Sequence, residues 1–561
     1  MLKKFLLLIL VASFEIGAVS CSPYGTGMQN TNDVSATLIQ KNYDDIMDKG
    51  PIKGGTLKLF TTVPDTLNPI LTGNANVRDL CSLIFESLVN LDKTQKPVPG
   101  LAKKWDVSND GLTWTFYMRE GVLWHDGTPF SAEDVEFTFS TILNASLNSI
   151  DRVKLQNVTT FTAVDRNTFR IILKRPNSFT PELMTFPIIP KHSFTGENIA
   201  SAPANMAPIG TGPFKFQSYN KDTMIKLAAN DKWWNAANSD KKFPNIPYLA
   251  EIEVKVFNNT KDAINAFQTG DIDVTSVGIG ESSKYRGRTD LILKRYVGKN
   301  FEFIAFNTTK PAFLDKSARQ AIAYAIDRHK IVNDLMPGEA IVSEIPVVPG
   351  TWLNESNTMV YSLNKDKAKE ILFQNGWKQD REGWYKYIFG MYTPLTFELL
   401  VNQDNETRLK AAQKIVEQLG EIGIRVRVKK VAWEDALRLI NSKSYDMAMI
   451  GCTVSLPSDI SNLYSSSTAR TGGSEIMGPN ISGYNNPVID NYLYEIMKEN
   501  DMEKRNSLFS SMKDVLNADV PYLGLYFYNQ STLYNKRLRG DISPYMWNKT
   551  SDLTKWYLPI R

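Results

Sequence analysis

LAKKWDVSNDGLTWTFYMREGVLWHDGTPFSAEDVEFTFS, residues 101–140, is the stretch of sequence that decides the fold. The triplet Asn-Asp-Gly at 109–111 is a turn signal, because these residue types tolerate a positive φ at little cost. From Leu112 to Met118, apolar residues alternate with Thr and Tyr, which is the period-two pattern of a half-buried strand. The stretch therefore predicts a β-hairpin.

A capped helix is expected directly after the hairpin. Ser131 is a suitable N-cap, and Asp134 stands three residues later, at the N3 position of a capping box. Val135, Phe137 and Phe139 then supply the apolar side of the helix. The whole stretch is thus a hairpin followed by a helix, and both have strong local signals.

The same stretch resembles the family 5 extracellular solute-binding proteins of ABC importers, which include oligopeptide, dipeptide and nickel binders. The resemblance is carried by aromatic and turn positions, namely Trp105, Trp114-Thr-Phe, Arg119-Glu-Gly-Val, Trp124-His-Asp-Gly-Thr-Pro-Phe and Ala132-Glu-Asp-Val. It implies an α/β, two-lobed periplasmic-binding-protein-like fold of the large class, with an extra subdomain in lobe I and a ligand cleft between the lobes.

The chain has 561 residues, which is too many for a single hydrophobic core. Its net charge is only +4, and no basic stripe gives electrostatic support for nucleic-acid binding. Together with the resemblance, this predicts a signal peptide at 1–20, a lipidated Cys and flexible tether at 21–51, lobe I at 52–90, its inserted subdomain at 91–207, a second part of lobe I at 208–305, lobe II at 306–528 and a return to lobe I at 529–561.

The first twenty residues are typical of an export signal. Two lysines precede an apolar run, 5–14, that is shorter than a typical membrane-spanning helix. Residues 18–21, Ala-Val-Ser-Cys, resemble a bacterial lipoprotein box, although Leu is usual at the Ala position; the alternative is an ordinary secretory signal cleaved nearby. The lipoprotein interpretation places a diacylglycerol on Cys21, and two acyl chains suffice for stable anchoring. The protein is then extracytoplasmic, in the periplasm or at the cell surface, and held to a bacterial membrane only by this lipid.

Two further segments have a helical apolar period. Leu80–Val89 places Cys81 on an apolar face, and Asp315–Val332 repeats Ala and Ile at spacings of three and four. Besides Cys21, the chain contains only Cys81 and Cys452. The resemblance places these two in opposite lobes, so we expect both to stay reduced.

Catalytic constellations are scarce. The three histidines, at 125, 192 and 329, have no zinc-binding spacing, and no nucleophile elbow is present. Asp271 and Asp273 share one face of a predicted strand but have no adjoining His, Cys or Lys, so they are interpreted as solvated turn residues. The chain is expected not to be an enzyme, and to use no cofactor and no metal.

The resemblance implies where a ligand binds. Relatives that take free peptides often have Gly-Trp and then an Asp that pairs with the peptide's α-amino group; here Cys452 stands at the Trp position and Ser455 at the Asp position. Asp459 can substitute only if the loop is rearranged. Trp433 matches a cleft aromatic, and the alternative is a Trp packed on the core of its own lobe. The complete set of expected ligand-binding residues is Asn74, Asn76, Trp433, Cys452, Thr453, Ser455, Asp459 and Phe527.

These observations predict an extracytoplasmic substrate-binding lipoprotein that captures a solute and delivers it to ABC permease subunits. The leading substrate is an oligopeptide, and a monomer without nucleic-acid partners is expected. Ser455 and the aromatic content keep an oligosaccharide or a metal chelate open as the substrate. A surface adhesin or chaperone-like lipoprotein with no transport role is the alternative from another class.

Overall fold

The computed structural model describes residues 50–196, 198–238, 247–469 and 480–559. The predicted signal peptide, Cys21 and most of the predicted tether lie outside these residues. Within them, no helix is both long enough and apolar enough to cross a membrane.

Strands and helices follow one another along the whole of the described chain. The strands, in chain order, are β1 (Thr56–Thr62), β2 (Val89–Leu91), β3 (Pro97–Pro99), β4 (Ala102–Val107), β5 (Thr113–Met118), β6 (Val158–Asp165), β7 (Thr168–Leu173), β8 (Phe214–Asn220), β9 (Met224–Ala229), β10 (Glu251–Phe257), β11 (Val274–Val277), β12 (Leu291–Phe306), β13 (Ala340–Val342), β14 (Lys378–Asp380), β15 (Gly383–Ile388), β16 (Met391–Pro394), β17 (Thr396–Asn402), β18 (Arg425–Val431), β19 (Met447–Thr453) and β20 (Tyr522–Asn535). The α-helices are α1 (Ala75–Cys81), α2 (Ala132–Leu143), α3 (Thr180–Leu183), α4 (Thr260–Gln268), α5 (Pro311–Leu314), α6 (Lys316–Ala325), α7 (Arg328–Leu335), α8 (Lys365–Gln374), α9 (Glu406–Gly420), α10 (Trp433–Asn441), α11 (Ser461–Tyr464), α12 (Pro487–Lys498) and α13 (Met502–Asp519).

The fold has two lobes with separate cores. The core of lobe I is built from buried residues between 57 and 254 and between 534 and 556, and lobe II has two core clusters between 301 and 528. Lobe I contains the sheet β1-β10-β9-β8 and the antiparallel sheet β4-β5-β7-β6. Lobe II is built around β12-β19-β17-β18, in which β19, β17 and β18 run parallel and are connected by helices. The predicted α/β, two-lobed fold class is confirmed.

The stretch at 101–140 folds as predicted. β4 and β5 pair antiparallel across the turn, where Gly111 has φ +71°. Ser131 and Asp134 form the expected capping box of α2. Val135 and Phe139 are fully buried under the sheet, while Phe137 is only half-buried. Local signals therefore determine this part of lobe I.

The predicted helix at Leu80–Val89 is wrong. α1 ends at Cys81, although the following apolar residues are buried as expected. The Ile84 carbonyl accepts a hydrogen bond from the Gly212 amide at 2.9 Å, and the Leu88 carbonyl accepts one from the Gly100 amide at 3.1 Å. These carbonyls bind distant segments and so cannot continue a helix. A Cβ on Gly210 would lie 1.8 Å from the Ile84 carbonyl oxygen, so this close approach requires glycine.

The predicted single helix at Asp315–Val332 is two helices, α6 and α7. Ile326 between them is extended, with φ −102° and ψ 116°. The Asp327 carboxylate then caps α7 by accepting the Lys330 amide at 2.8 Å. The break turns the buried Arg328 guanidinium toward Glu344, to which it donates at 2.9 Å.

The interpretation of Asp273 as a solvated residue is also wrong. Asp273 is completely buried, and its carboxylate accepts hydrogen bonds from Arg537 Nε at 2.7 Å and from the Lys58 amide at 2.9 Å. Asp271 is exposed and pairs with Lys255 at 3.2 Å. The sequence could not supply the counter-ion of Asp273, because Arg537 lies 264 positions further along the chain.

Another buried ion pair lies where the two lobes touch. Glu182, which follows β7 of lobe I, accepts a hydrogen bond from Arg505 of α13 at 3.2 Å, and both side chains are 2% exposed. Arg505 also donates to the Ser178 carbonyl at 2.6 Å and lies over the rings of Phe179 and Trp352. Phe179 itself packs into the core of lobe II. This contact fixes one position of the lobes relative to each other.

A carboxylate in lobe I lies between two tryptophans. The Glu86 oxygens accept hydrogen bonds from the indole N–H of Trp233 at 3.1 Å and of Trp234 at 2.8 Å, and the Arg119 guanidinium lies over the Trp234 ring. Burial raises the pKa of Glu86 to about 7, although the indole hydrogen bonds and Arg119 favour the charged form. Glu86 is therefore a group whose protonation changes near neutral pH.

Glu86 should make the stability of the folded chain depend on pH. Because its folded-state pKa of about 7 exceeds the ordinary 4.5, the native state binds the proton more tightly than the unfolded state, and stability falls as pH rises between these values. Glu86→Gln removes this ionisation. We expect the free energy of unfolding of the variant, relative to wild type, to rise by about 1 kcal/mol from pH 5 to pH 8.

Unfolding midpoints of both proteins at the two pH values check this expectation. Glu434→Gln, at an exposed position of α10, is the matched control and should track wild type. An equal offset between Glu86→Gln and wild type at pH 5 and pH 8 contradicts it.

Candidate functional site

A pocket opens where β12 and β20 pass between the lobes. It has a volume of about 270 Å³, close to the lower end of small-molecule sites, which span roughly 300–1,000 Å³. Three strands and the C-terminal segment contribute its lining, which consists of Ser276, Val277, Gly278, Ile279, Tyr296, Gly298, Lys299, Asn300, Tyr528, Asn529, Gln530, Ser531 and Lys549. A pocket of this size takes part of a solute, not a long peptide.

A break in strand pairing creates the pocket. β12 and β20 pair antiparallel on both sides, but the register shifts between Val297 and Phe301. A Cβ on Gly298 would lie 2.8 Å from the Tyr528 carbonyl oxygen, so only glycine permits this approach of the two strands. Lys299 and Asn300 are left exposed at the pocket wall.

The predicted segment at 452–455 borders this wall. In the register of β12 and β19, Asn300 is opposite Thr453, and the Thr453 hydroxyl donates to the Asn300 side-chain oxygen at 3.3 Å. Thr453 and Ser455 are exposed, while Cys452 is half-buried. Burial, with a smaller contribution from Glu302, raises the pKa of the Cys452 thiol to about 12. The thiol therefore stays protonated at the pocket edge.

The loop after this segment holds its own polar groups. The Ser455 hydroxyl donates to the Pro457 carbonyl at 2.9 Å, and the peptide bond between Leu456 and Pro457 is cis. Asp459 accepts the Ser461 amide at 2.9 Å. Ser458, which precedes Asp459, is buried, and its hydroxyl donates to the side-chain oxygen of Gln95 in lobe I at 2.9 Å. Neither Ser455 nor Asp459 is part of the pocket lining.

Asn74 and Asn76 lie at the start of α1. The Asn74 side chain donates to the Thr62 hydroxyl at 2.8 Å and caps α1 by accepting the Asn76 amide at 3.0 Å. On the same helix, the Asp79 carboxylate pairs at 2.8 Å with Lys549, which lines the pocket. α1 thus approaches the pocket through Asp79, and the Asn74 side chain caps its N-terminus.

Lys549 is a protonated lysine whose positive charge is partly balanced by the Asp79 carboxylate. Burial disfavours its charged form, but the Asp79 carboxylate overcomes this effect and raises the pKa of Lys549 above its ordinary value. Burial also raises the pKa of Tyr296, whose hydroxyl lies 3.4 Å from the Thr532 hydroxyl. Both groups therefore keep their protons at neutral pH and can donate hydrogen bonds into the pocket.

Two predicted aromatic positions have different surroundings. Trp433 is half-buried at the start of α10 and packs against the core of lobe II. Phe527 is completely buried, with its ring centroid 4.8 Å from that of Phe301, and so exposes no surface to a solute. The neighbouring Tyr528 lines the pocket, as do the three residues that follow it on β20.

Sequence reasoning missed most of the pocket lining. Gly298 inside an otherwise strand-like segment was an available signal, because glycine within a strand often marks a bulge or a close backbone approach. Tyr296, Lys299 and Lys549 carried no comparable signal, because their meeting depends on how distant segments pair.

Cys81 and Cys452 are both free, as expected. Cys81 is buried in the core of lobe I and Cys452 borders the core of lobe II. Burial raises the pKa of the Cys81 thiol far above its ordinary value, and its sulfur lies 3.4 Å from the Leu67 carbonyl oxygen.

Comparison with known proteins agrees with this architecture. The model of "Bacterial extracellular solute-binding proteins, family 5 Middle" matches residues 96–474. The chain is 26% identical to the oligopeptide-binding protein AppA of Bacillus subtilis, over 91% of this chain and 92% of that protein. It is 25% identical to the dipeptide-binding protein of Escherichia coli, over 82% and 86%. The fold is similar to that of the ABC transporter substrate-binding protein CtaP of Listeria monocytogenes, with a TM-score of 0.69, 23% identity and coverage of 91% and 100%. The chain therefore belongs to family 5 of the bacterial extracellular solute-binding proteins.

Proposed function

We propose that this chain is the extracytoplasmic substrate-binding protein of an ABC importer, and that it captures short peptides between its lobes and delivers them to the permease. The observation that carries the proposal is the pocket at the crossing of β12 and β20, the strands that join the lobes. A solute held there contacts both lobes and therefore favours the arrangement in which both reach it. The names of the Bacillus subtilis and Escherichia coli relatives support a peptide as the solute.

The residues expected from the resemblance surround the pocket in this proposal. In this proposal the segment 452–455 and Asp459 contribute to the rim of the pocket in lobe II. Asn74 and Asn76 hold the facing helix of lobe I, and Trp433 offers a half-exposed indole. Phe527 does not contact the solute in this proposal, and it supports β12 by packing on Phe301. The seven-part division of the chain and a monomeric state are parts of the same proposal.

An oligosaccharide or a metal chelate is the competing solute, because Ser455 supplies no charge for a peptide amine. An adhesin or chaperone-like lipoprotein is the competing role. Mass spectrometry of small molecules that co-purify with the chain separates these possibilities, because an adhesin retains none and each solute class has a distinct mass pattern.

The first prediction concerns the peptide N-terminus. With Ser455 at the position of the usual Asp, a bound α-ammonium gains little, because a desolvated charge needs a counter-charge. We expect N-terminal acetylation to change the affinity of a peptide by less than about tenfold, or about 1.4 kcal/mol. Trp433→Ala should cost more than this, because it removes apolar and stacking area.

Calorimetry with a free peptide and its acetylated form, on wild type and Trp433→Ala, checks the prediction. Tyr494→Ala, at an exposed aromatic of α12, is the matched control and should leave both affinities unchanged. A large loss on acetylation combined with a neutral Trp433→Ala shows an amine anchor elsewhere and contradicts the prediction.

The second prediction concerns the proposed lipid anchor on Cys21. Cys21→Ser removes the acylated sulfur, so the protein should move from the detergent phase to the aqueous phase in a detergent partition assay. Cys452→Ser, which changes the half-buried thiol of lobe II, is the control and should stay in the detergent phase. A wild-type chain that is already in the aqueous phase rules out the anchor.

A further inference from the structure

The small three-stranded sheet of lobe II presents an apolar tip to solvent. Its strands β15 and β16 form a hairpin in which Ile388 is opposite Met391, so Phe389 and Gly390 make the two-residue turn. Phe389 is 81% exposed and Met391 is 55% exposed. Neighbouring apolar side chains that remain exposed are a mark of protein or membrane contact sites.

Phe389 also occupies an unfavourable backbone conformation. It has φ +52° and Gly390 has φ +78°, so both residues of the turn are left-handed. Two-residue turns of this kind favour Asn or Asp followed by Gly, and a positive φ is rare for a bulky aromatic residue. A phenylalanine here therefore costs free energy both in the backbone and in hydration. A role outside folding accounts for this residue type.

Three tyrosines lie behind the tip, on the side of the hairpin that faces solvent. Tyr387 is directly opposite Tyr392, both are exposed, and their ring centroids are 6.0 Å apart. The Tyr385 ring centroid lies 5.1 Å from that of Tyr392. The other side of the hairpin packs on lobe II, where the buried Trp384 indole donates to the Ile422 carbonyl at 2.7 Å. The hairpin is thus supported on one side and presents aromatic rings on the other.

The hairpin and its neighbouring strands carry a net positive charge. Segments 378–394 and 425–431, which contain β14, β15, β16 and β18, together have seven Lys or Arg and two acidic residues. Two acids from outside these segments, Glu398 and Asp315, pair with three of the cations. The sum of these charges remains positive, so the surface suits an anionic partner.

Apolar and charged groups are separated along the hairpin. Segment 384–394, which contains the tip, has no acidic residue, and Glu382 at the opposite end pairs with Arg425 of β18 at 2.7 Å. Lys378 of β14 is opposite Tyr385 and exposed, and no carboxylate among the described residues lies within ion-pair distance of it. The order from the tip is therefore apolar side chains, tyrosines and then cations.

We propose that the β15–β16 hairpin is a membrane-contact site that places its tip in the interface of an anionic lipid surface. A bilayer has the same order of layers: apolar side chains reach the acyl boundary, tyrosines concentrate at the interface, and lysines and arginines meet the anionic headgroups. The contact is a weak attachment in addition to the lipid expected on Cys21, and it does not depend on which solute the lobes capture.

The chemistry of the tip argues against two other partners. A glycan needs hydrogen-bonding groups, whereas the Phe389 ring has none and the Met391 thioether is only a weak acceptor. A second copy of the chain, docked through the same face, would bring two positively charged surfaces together. An anionic lipid surface satisfies both the apolar tip and the charge.

Co-sedimentation of the full-length chain with vesicles tests the proposal. The chain carries Cys21→Ser, so that no acyl chain contributes, and the vesicles are phosphatidylcholine alone or equal parts of phosphatidylcholine and phosphatidylglycerol. We expect this parent chain to partition more strongly onto the mixed vesicles, and Phe389→Asn to lower that partition by about tenfold, or about 1.4 kcal/mol. Lys378→Gln should lower it by about fivefold and leave the partition onto phosphatidylcholine unchanged.

The unfolding midpoint of Phe389→Asn separates a membrane role from a structural one. Asn is favoured at the first position of this turn, so the variant should unfold at the same temperature as the parent chain or at a higher one. Tyr494→Gln, at an exposed aromatic of α12, is the matched control and should sediment as the parent chain does. A lower midpoint for Phe389→Asn assigns the ring to folding and overturns the inference.

Three further outcomes overturn the inference. One is equal sedimentation of Phe389→Asn and the parent chain, and another is equal partition onto the two kinds of vesicle. The third is self-association, or retention on an insoluble glycan, that Phe389→Asn abolishes while vesicles retain neither chain. Calorimetry with peptides measures solute capture separately. Capture should be the same in Phe389→Asn, so its failure in both chains rejects the proposed function and leaves the membrane contact intact.

Discussion

The structure depends on the pairing of β12 with β20, two long antiparallel strands that are 216 or more positions apart in the chain. Their lobe II ends are almost completely buried, whereas their other ends pack beside lobe I through β11. The pairing is interrupted at Gly298, and the pocket lies at this interruption. The same strands join the lobes and line the pocket, so under the proposed function a rotation between the lobes would change the shape of the site. This arrangement would couple binding to lobe movement through the paired strands β12 and β20.

Buried ion pairs connect segments that are distant in sequence. Arg537 with Asp273, Arg408 with Glu302 and Arg505 with Glu182 each join parts of the chain separated by more than one hundred positions. Such pairs add little net stability, because the cost of removing both charges from water offsets most of their attraction. Their effect is on arrangement, since a shifted segment would leave a buried charge without its partner.

Local and distant information explain which features the sequence could predict. The hairpin and capped helix at 101–140 have their turn, cap and apolar residues within forty positions, so the sequence determined them. The segment after Cys81 has the apolar spacing of a helix, but its carbonyls accept hydrogen bonds from the amides of Gly100 and Gly212. The resemblance drew attention to the segment 452–455, in which Thr453 is opposite the lining residue Asn300, but to none of the lining residues themselves. Phe527 packs on Phe301, whereas the next four residues of β20 line the pocket, and no local sequence pattern distinguishes the two.

The contact between Glu182 and Arg505 has a consequence for release of the solute. When the lobes separate, both charged groups are hydrated again, and this hydration offsets much of the electrostatic attraction that is lost. Phe179, which covers the guanidinium from the lobe I side, loses apolar contact at the same time, and this loss opposes separation. The contact between Glu182 and Arg505 therefore specifies one relative position of the lobes but adds little free energy to hold them in it. A weak contact of this kind suits a binding protein that must release its solute to a permease.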